Sequence, residues 1–145
     1  QERGHRGGTE AAPVLAGFGA AAQKARETLA DFAALAEKRA ALEAGLRSAC
    51  AELIIHGEAA TRLPNTVFFS VPGKKAETMQ IGFDLAGFAV SSGSACSSGK
   101  VGQSHVLKAM GVEADEGAVR VSFGLATQDA DIEAFLDAFN RIVRR

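Results

Sequence analysis

The chain has 145 residues, 47% of them hydrophobic, and a net charge of −1. That apolar content excludes a disordered tail and suits one domain with its own core, or one domain plus an overhang from another. The near-neutral balance leaves no basic footprint for nucleic acid or an acidic membrane surface, and no stretch is long and apolar enough to span a bilayer.

Two cysteines, Cys50 in an Ala-rich helical stretch and Cys96 among Ser and Gly, stand in unlike settings. This favours a reducing, cytoplasmic location over a disulfide-stapled one. The opening Gln1-Glu2-Arg3-Gly4 lacks Met and reads as a piece of a longer protein.

Residues 1–10 hold glycines, Arg3, His5, Arg6 and Thr9. Flexible backbone with cations and a hydroxyl suits an anion such as phosphate, though a solvated loop is the plainer reading. Pro13 fits a first helical turn. From Val14 to about Cys50 good helix formers dominate, with Phe18, Ala22, Ala25, Leu29, Phe32 and Ala36 on one face. The stripe then moves to Leu35, Leu42 and Leu46, which predicts a bend or break near Lys38 to Ala41. A helix this long outreaches a small domain and bridges two, with Cys50 as packing near its end.

Leu53 to Gly57 predicts a short strand, with His56 either structural or a ligand. Thr66 to Val71 is the strongest strand by β-branched and aromatic content, stopped by Pro72-Gly73. Lys74 to Ala86 predicts a helix with Ala76, Met79, Phe83 and Ala86 inward, short or kinked at Gly82, and closed by Gly87. Phe88 to Ser92 predicts a third strand. Ser104 is expected to cap a short helix through Met110, closed by Gly111.

Ala118 to Phe123 alternates, with Val119, Val121 and Phe123 on one face and Arg120 and Ser122 on the other. Arg120 suits two roles: a bidentate clamp for a substrate carboxylate, or a surface ion pair. Thr127 is the expected cap of a last helix with the stripe Ile132, Phe135, Leu136, Phe139 and Ile142. The acids at its start and arginines at its end match the helix dipole.

The stretch Ser91-Ser92-Gly93-Ser94-Ala95-Cys96-Ser97-Ser98-Gly99 surrounds one thiol with small residues. An accessible thiolate in a polar setting is reactive, whereas a structural cysteine sits among apolar neighbours. A surface loop with an incidental Cys is the plainer reading. Bracketed by Gly93, Gly99 and Gly102, this loop is expected to be the most mobile internal segment. Gly93 to Lys100 lacks the spacing and hydroxyl of a phosphate-binding P-loop, Cys96 and His105 lack zinc-site spacing, and no G-x-S-x-G is present.

That loop, with Ser104-His105-Val106-Leu107-Lys108-Ala109-Met110-Gly111, Val119-Arg120-Val121-Ser122-Phe123-Gly124 and the opening residues 1–10, resembles the C-terminal part of a NifS/IscS-type cysteine desulfurase. Those enzymes belong to the class V aminotransferase group that uses pyridoxal phosphate (PLP). The resemblance runs nearly end to end. It implies the α/β, two-layer small C-terminal domain of a fold-type I PLP enzyme: a small, largely antiparallel sheet against helices, with a long N-terminal linking helix. Residues 1–20 would belong to the tail of an upstream PLP-binding domain and 21–145 to the small domain.

It further implies conversion of L-cysteine to L-alanine, with the sulfur held as a persulfide on Cys96 for an acceptor such as an iron–sulfur scaffold. Arg120 would bind the substrate carboxylate, and Thr9 would reach the PLP phosphate of the partner subunit in a homodimer. No membrane, nucleic acid or metal is implied. Gly102 and Gln103 depart from the acidic residue and proline usual before the Ser-His. None of Lys24, Lys38, Lys74, Lys75, Lys100 or Lys108 has the context of the family's Schiff-base lysine, so this chain alone should not perform the PLP step. A selenocysteine lyase-like enzyme and a non-catalytic dimerisation or docking module are the alternatives.

Overall fold

The structure is a computed structural model, and it describes residues 2–4, 7, 8, 10–92, 104–112 and 116–144. After a 3-10 turn, Glu2–Gly4, come α1 (Ala12–Glu27), α2 (Leu29–Ala49), β1 (Ile54–Ile55), β2 (Thr66–Ser70) and α3 (Ala76–Leu85). Then follow β3 (Ser91–Ser92), α4 (His105–Ala109), β4 (Val119–Ser122) and α5 (Asp129–Val143). The strands form one antiparallel sheet in the order β1-β2-β4-β3. This is the two-layer α/β arrangement expected.

The period of two in the strands sorts side chains between the sheet's faces. Ile55, Val67, Phe69, Val119 and Val121 turn inward and share a core with Leu42 and Leu46 of α2, Met79 and Phe83 of α3, and Ile132, Phe135 and Phe139 of α5. Phe83 stacks on Phe135 at 4.6 Å, and Phe69 meets Phe139 edge-on at 5.7 Å. On the opposite face Leu107 of α4 packs with Ala118, Phe68 and Val112.

The long N-terminal helix is interrupted at Thr28, not between Lys38 and Ala41, where α2 is continuous. Thr28 leaves helical geometry (φ −99°, ψ 14°) while its hydroxyl donates back to the carbonyls of Lys24 and Ala25 at 3.1 and 3.3 Å. Such back-bonding by a β-branched residue bends helices. The shift of apolar stripe therefore marks a change of surroundings. Leu35, Leu42 and Leu46 are buried, whereas α1 has no buried residue and Phe18 is 74% exposed.

Gly82 does not break α3, and a Cβ there would come within 3.1 Å of Ile142 on α5. The helix starts at Ala76 rather than Lys74, because Lys74 is held in the Pro72-Gly73 turn by its bond to the Val71 carbonyl. The predicted third strand contracts to two residues. Gly87 at φ +87° ends α3 and lets the Phe88 amide bond the Phe83 carbonyl at 2.9 Å, which withdraws Phe88 from the sheet. Ser104 stands at the start of α4, but its hydroxyl makes no cap bond.

Gln128, not Thr127, caps α5 in a reciprocal box with Asp131. The Thr127 hydroxyl instead accepts from the Gly124 amide at 3.2 Å. Cys50 packs half-buried against the core, as expected.

Candidate active site on the outer face of the sheet

The alternation of β4 sends Val119 and Val121 into the core and leaves Arg120 and Ser122 on the outer face. Arg120 lies opposite Phe68 of β2 on one side and Ser91 of β3 on the other. Its Nη2 donates to Ser91 Oγ at 3.5 Å, the long limit for a hydrogen bond. Among the described residues no carboxylate pairs with Arg120. The surface ion pair considered from the sequence is thus absent among them. Among the described residues the exposed guanidinium has only this long contact to Ser91, and its planar fork suits a planar anion.

Ser92, the next residue of β3, points the other way. It is 4% exposed and donates its hydroxyl to the Gln80 carbonyl oxygen on α3. The strand that borders Arg120 is thereby fastened to the helical layer.

His56 shares the outer face but is structural. It is 5% exposed, its Nε2 lies 2.7 Å from Ser70 Oγ, and its ring tilts against Phe68. Ser70 donates its one hydroxyl proton to the Gly117 carbonyl at 2.7 Å. Nε2 must then be the protonated nitrogen and the donor to Ser70. Burial pushes the His56 pKa below its ordinary value of 6.5.

An apolar hollow between Phe88, Val90, Val121, Phe123 and Ile132 opens on the core side, away from Arg120. Its one carboxylate, Asp131, is committed to the α5 cap.

Of the residues singled out for chemistry, Arg120 is exposed on the outer face of β4. Cys96 and Thr9 lie outside the described residues, as does the loop expected to be most mobile. Gln80, Ser91 and Ser92 were not assigned roles from sequence. The alternation would have placed Ser91 beside Arg120, but nothing local announces the Gln80 contact.

The chain's residues 1–135 match the family model for aminotransferase class-V. The chain belongs to that family. It is 38% identical to a cysteine desulfurase of Gluconacetobacter diazotrophicus over all of its own length and 37% of that protein's. It is also 38% identical to one of Sinorhizobium fredii, of which it covers 38%. A cysteine desulfurase IscS of Clostridium botulinum is 33% identical, again over the whole chain.

The backbone superposes on a NifS-like protein from Rickettsia africae with a TM-score of 0.85 at 34% identity, covering 100% of this chain and 38% of that one. The chain thus spans well under half the length of these relatives. Among the described residues no helix is long and apolar enough to cross a membrane.

Proposed function

We propose that this chain is the sulfur-carrying part of a cysteine desulfurase, in which Arg120 binds the carboxylate of L-cysteine and Cys96 receives its sulfur. The observation that carries the reading is the adjacency of Arg120 to β3. Cys96 follows Ser92 by four residues in the sequence, and four residues at full extension reach at most ~14 Å. The family's arginine motif and the first two residues of its cysteine motif, Ser91 and Ser92, therefore lie side by side at one edge of the sheet.

Arg120 would hold the substrate by two parallel N–H···O bonds, fixing the direction in which its sulfur points. PLP, when bound in the full-length protein, supplies the electron sink for bond changes at the substrate's carbon skeleton. The Cys96 thiolate attacks the substrate sulfur: an S–S bond forms, the C–S bond breaks, and its electron pair returns to carbon with a proton to give L-alanine. Cys96 then carries the persulfide, which an acceptor thiolate takes by attack on the outer sulfur.

No described lysine suits the cofactor's aldehyde. Lys24 pairs with Glu27 and Lys38 with Asp129 at the surface, Lys74 sits in a turn, and Lys75 and Lys108 are exposed. Attachment therefore falls to residues outside those described, with Thr9 reaching the phosphate across a homodimer. Residues 1–20 would form the tail of the cofactor domain and 21–145 the small domain, with the exposed helix α1 spanning the two. A cytoplasmic setting, where thiols stay reduced, and an iron–sulfur scaffold as acceptor complete the reading, in keeping with the thiol chemistry assigned to Cys96.

In the PLP-loaded full-length protein, Cys96→Ala should abolish sulfur release and leave the cofactor absorbance intact. Arg120→Lys, which loses the fork, should raise KM for L-cysteine by about 10- to 100-fold, as expected for a hydrogen-bonded charge. Full sulfur release by Cys96→Ala would refute the assignment.

A further inference from the structure

We infer that Gln80 is a positioning residue for sulfur transfer, acting through Ser92 to fix the strand that borders Arg120 and leads to Cys96. The inference rests on the desulfurase reading above and extends it to a helix that carries none of the family motifs.

β3 has two residues and a single neighbour, β4, at the sheet's edge. So short a ladder gives few backbone bonds, and something else must hold the strand at a fixed height on the helical layer. Ser92 lies opposite Val119, which is fully buried, so its hydroxyl faces the core side and must find a partner there. Gln80 provides it, with the Ser92 hydroxyl donating to Oε1.

Position 80 stands on the i, i+4, i+7 line with Ala76 and Phe83, both 0% exposed. That line normally takes an apolar side chain. An amide there adds nothing to the α3 stripe that leucine would not, so the fold alone does not ask for glutamine. What it adds is a directional bond to Ser92. From the other face of the same strand, Ser91 contacts the Arg120 guanidinium. Releasing Ser92 would thus loosen the stem of the cysteine segment, while Arg120 stays held on β4 by its pairing with β2.

The test uses the PLP-loaded full-length protein, with L-cysteine as substrate and alanine release as readout. Gln80→Leu should lower kcat by about tenfold, the scale on which sub-ångström misplacement acts, while KM changes less than about twofold. Gln80→Glu keeps an oxygen for Ser92 and should return kcat to within about threefold of wild type, since the hydrogen bond is retained. Amide exchange in a peptide covering residues 88–92 should be faster in Gln80→Leu and restored in Gln80→Glu.

If Gln80→Leu fails to fold, Ser92→Ala removes the same bond from its other end and should give the same loss of kcat. Where both variants fold, the double variant should be no slower than either alone. A Gln80→Leu enzyme with wild-type kcat, whatever its melting temperature, would overturn the inference and leave the desulfurase reading standing. Absence of alanine release from wild type would overturn both.

Discussion

The packing of Gly45 on α2 against Leu136 on α5 offers a test of how tightly the helical layer is fitted. A Cβ built on Gly45 would lie 2.3 Å from Cδ1 and 2.8 Å from Cδ2 of Leu136. Ordinary carbon contacts fall at about 3.5–4.0 Å, so the Leu136 side chain must retreat by roughly 1.2 Å or more. Overpacking of this kind costs ~1–3 kcal/mol, against ~1 kcal/mol gained when alanine replaces glycine inside a helix.

Gly45→Ala should therefore destabilise by about 1 kcal/mol net, lowering Tm by roughly 2–4 °C. In a Leu136→Ala background the obstruction is gone and only the helical gain remains, so Gly45→Ala should stabilise by about 1 kcal/mol. Urea denaturation of the four proteins gives the cycle directly, with an expected coupling of ~2 kcal/mol. If Gly45→Ala shifts stability by the same amount and sign in both backgrounds, the helices are not in contact through this pair and the packing described above is wrong.

Two further outcomes are expected. Because burial holds the His56 pKa below 6.5, the unfolded chain takes up its proton first as pH falls. The histidine's contribution is complete above that value and is lost on descending from it through the folded pKa. His56→Gln keeps an N–H for Ser70 and should flatten the pH dependence of stability in this window, and an unchanged slope in a urea titration series would count against a buried neutral imidazole. Cys50 packs half-buried at the end of α2, so Cys96 should react with iodoacetamide faster than Cys50, read by mass spectrometry of the two peptides. Equal rates would count against Cys96 as the nucleophile.

The alternation of residues 118–123 was legible because a half-buried strand writes its two faces directly into the sequence, and Arg120 came with it. The stripe of α5 was equally plain. What local pattern could not convey was anything set by a distant partner. Thr28 bends the N-terminal helix through its own hydroxyl, yet a lone threonine among helix formers looks harmless. Gly82 reads as a weakness of α3 until Ile142 is seen beside it. Phe88 looks like strand, but the geometry after Gly87 uses its amide to close a helix. Gln80 is the sharpest case, since its partner lies twelve residues away on another element.

The two-residue period of β4 also bears on how such a domain can diverge. Positions 119 and 121 answer to the core, and position 120, with 122, to whatever approaches from outside. Point changes on the outer face can accumulate without touching the packing, so the reactive surface and the scaffold are free to drift separately. Insertions have no such freedom. One extra residue between Gly117 and Val119 that shifted the register by one would exchange the two sets, driving a guanidinium toward Phe69 and Phe139 and exposing the valines. The lineage of this strand should therefore vary at Ser122, keep Arg120 where the substrate is kept, and be almost empty of length changes.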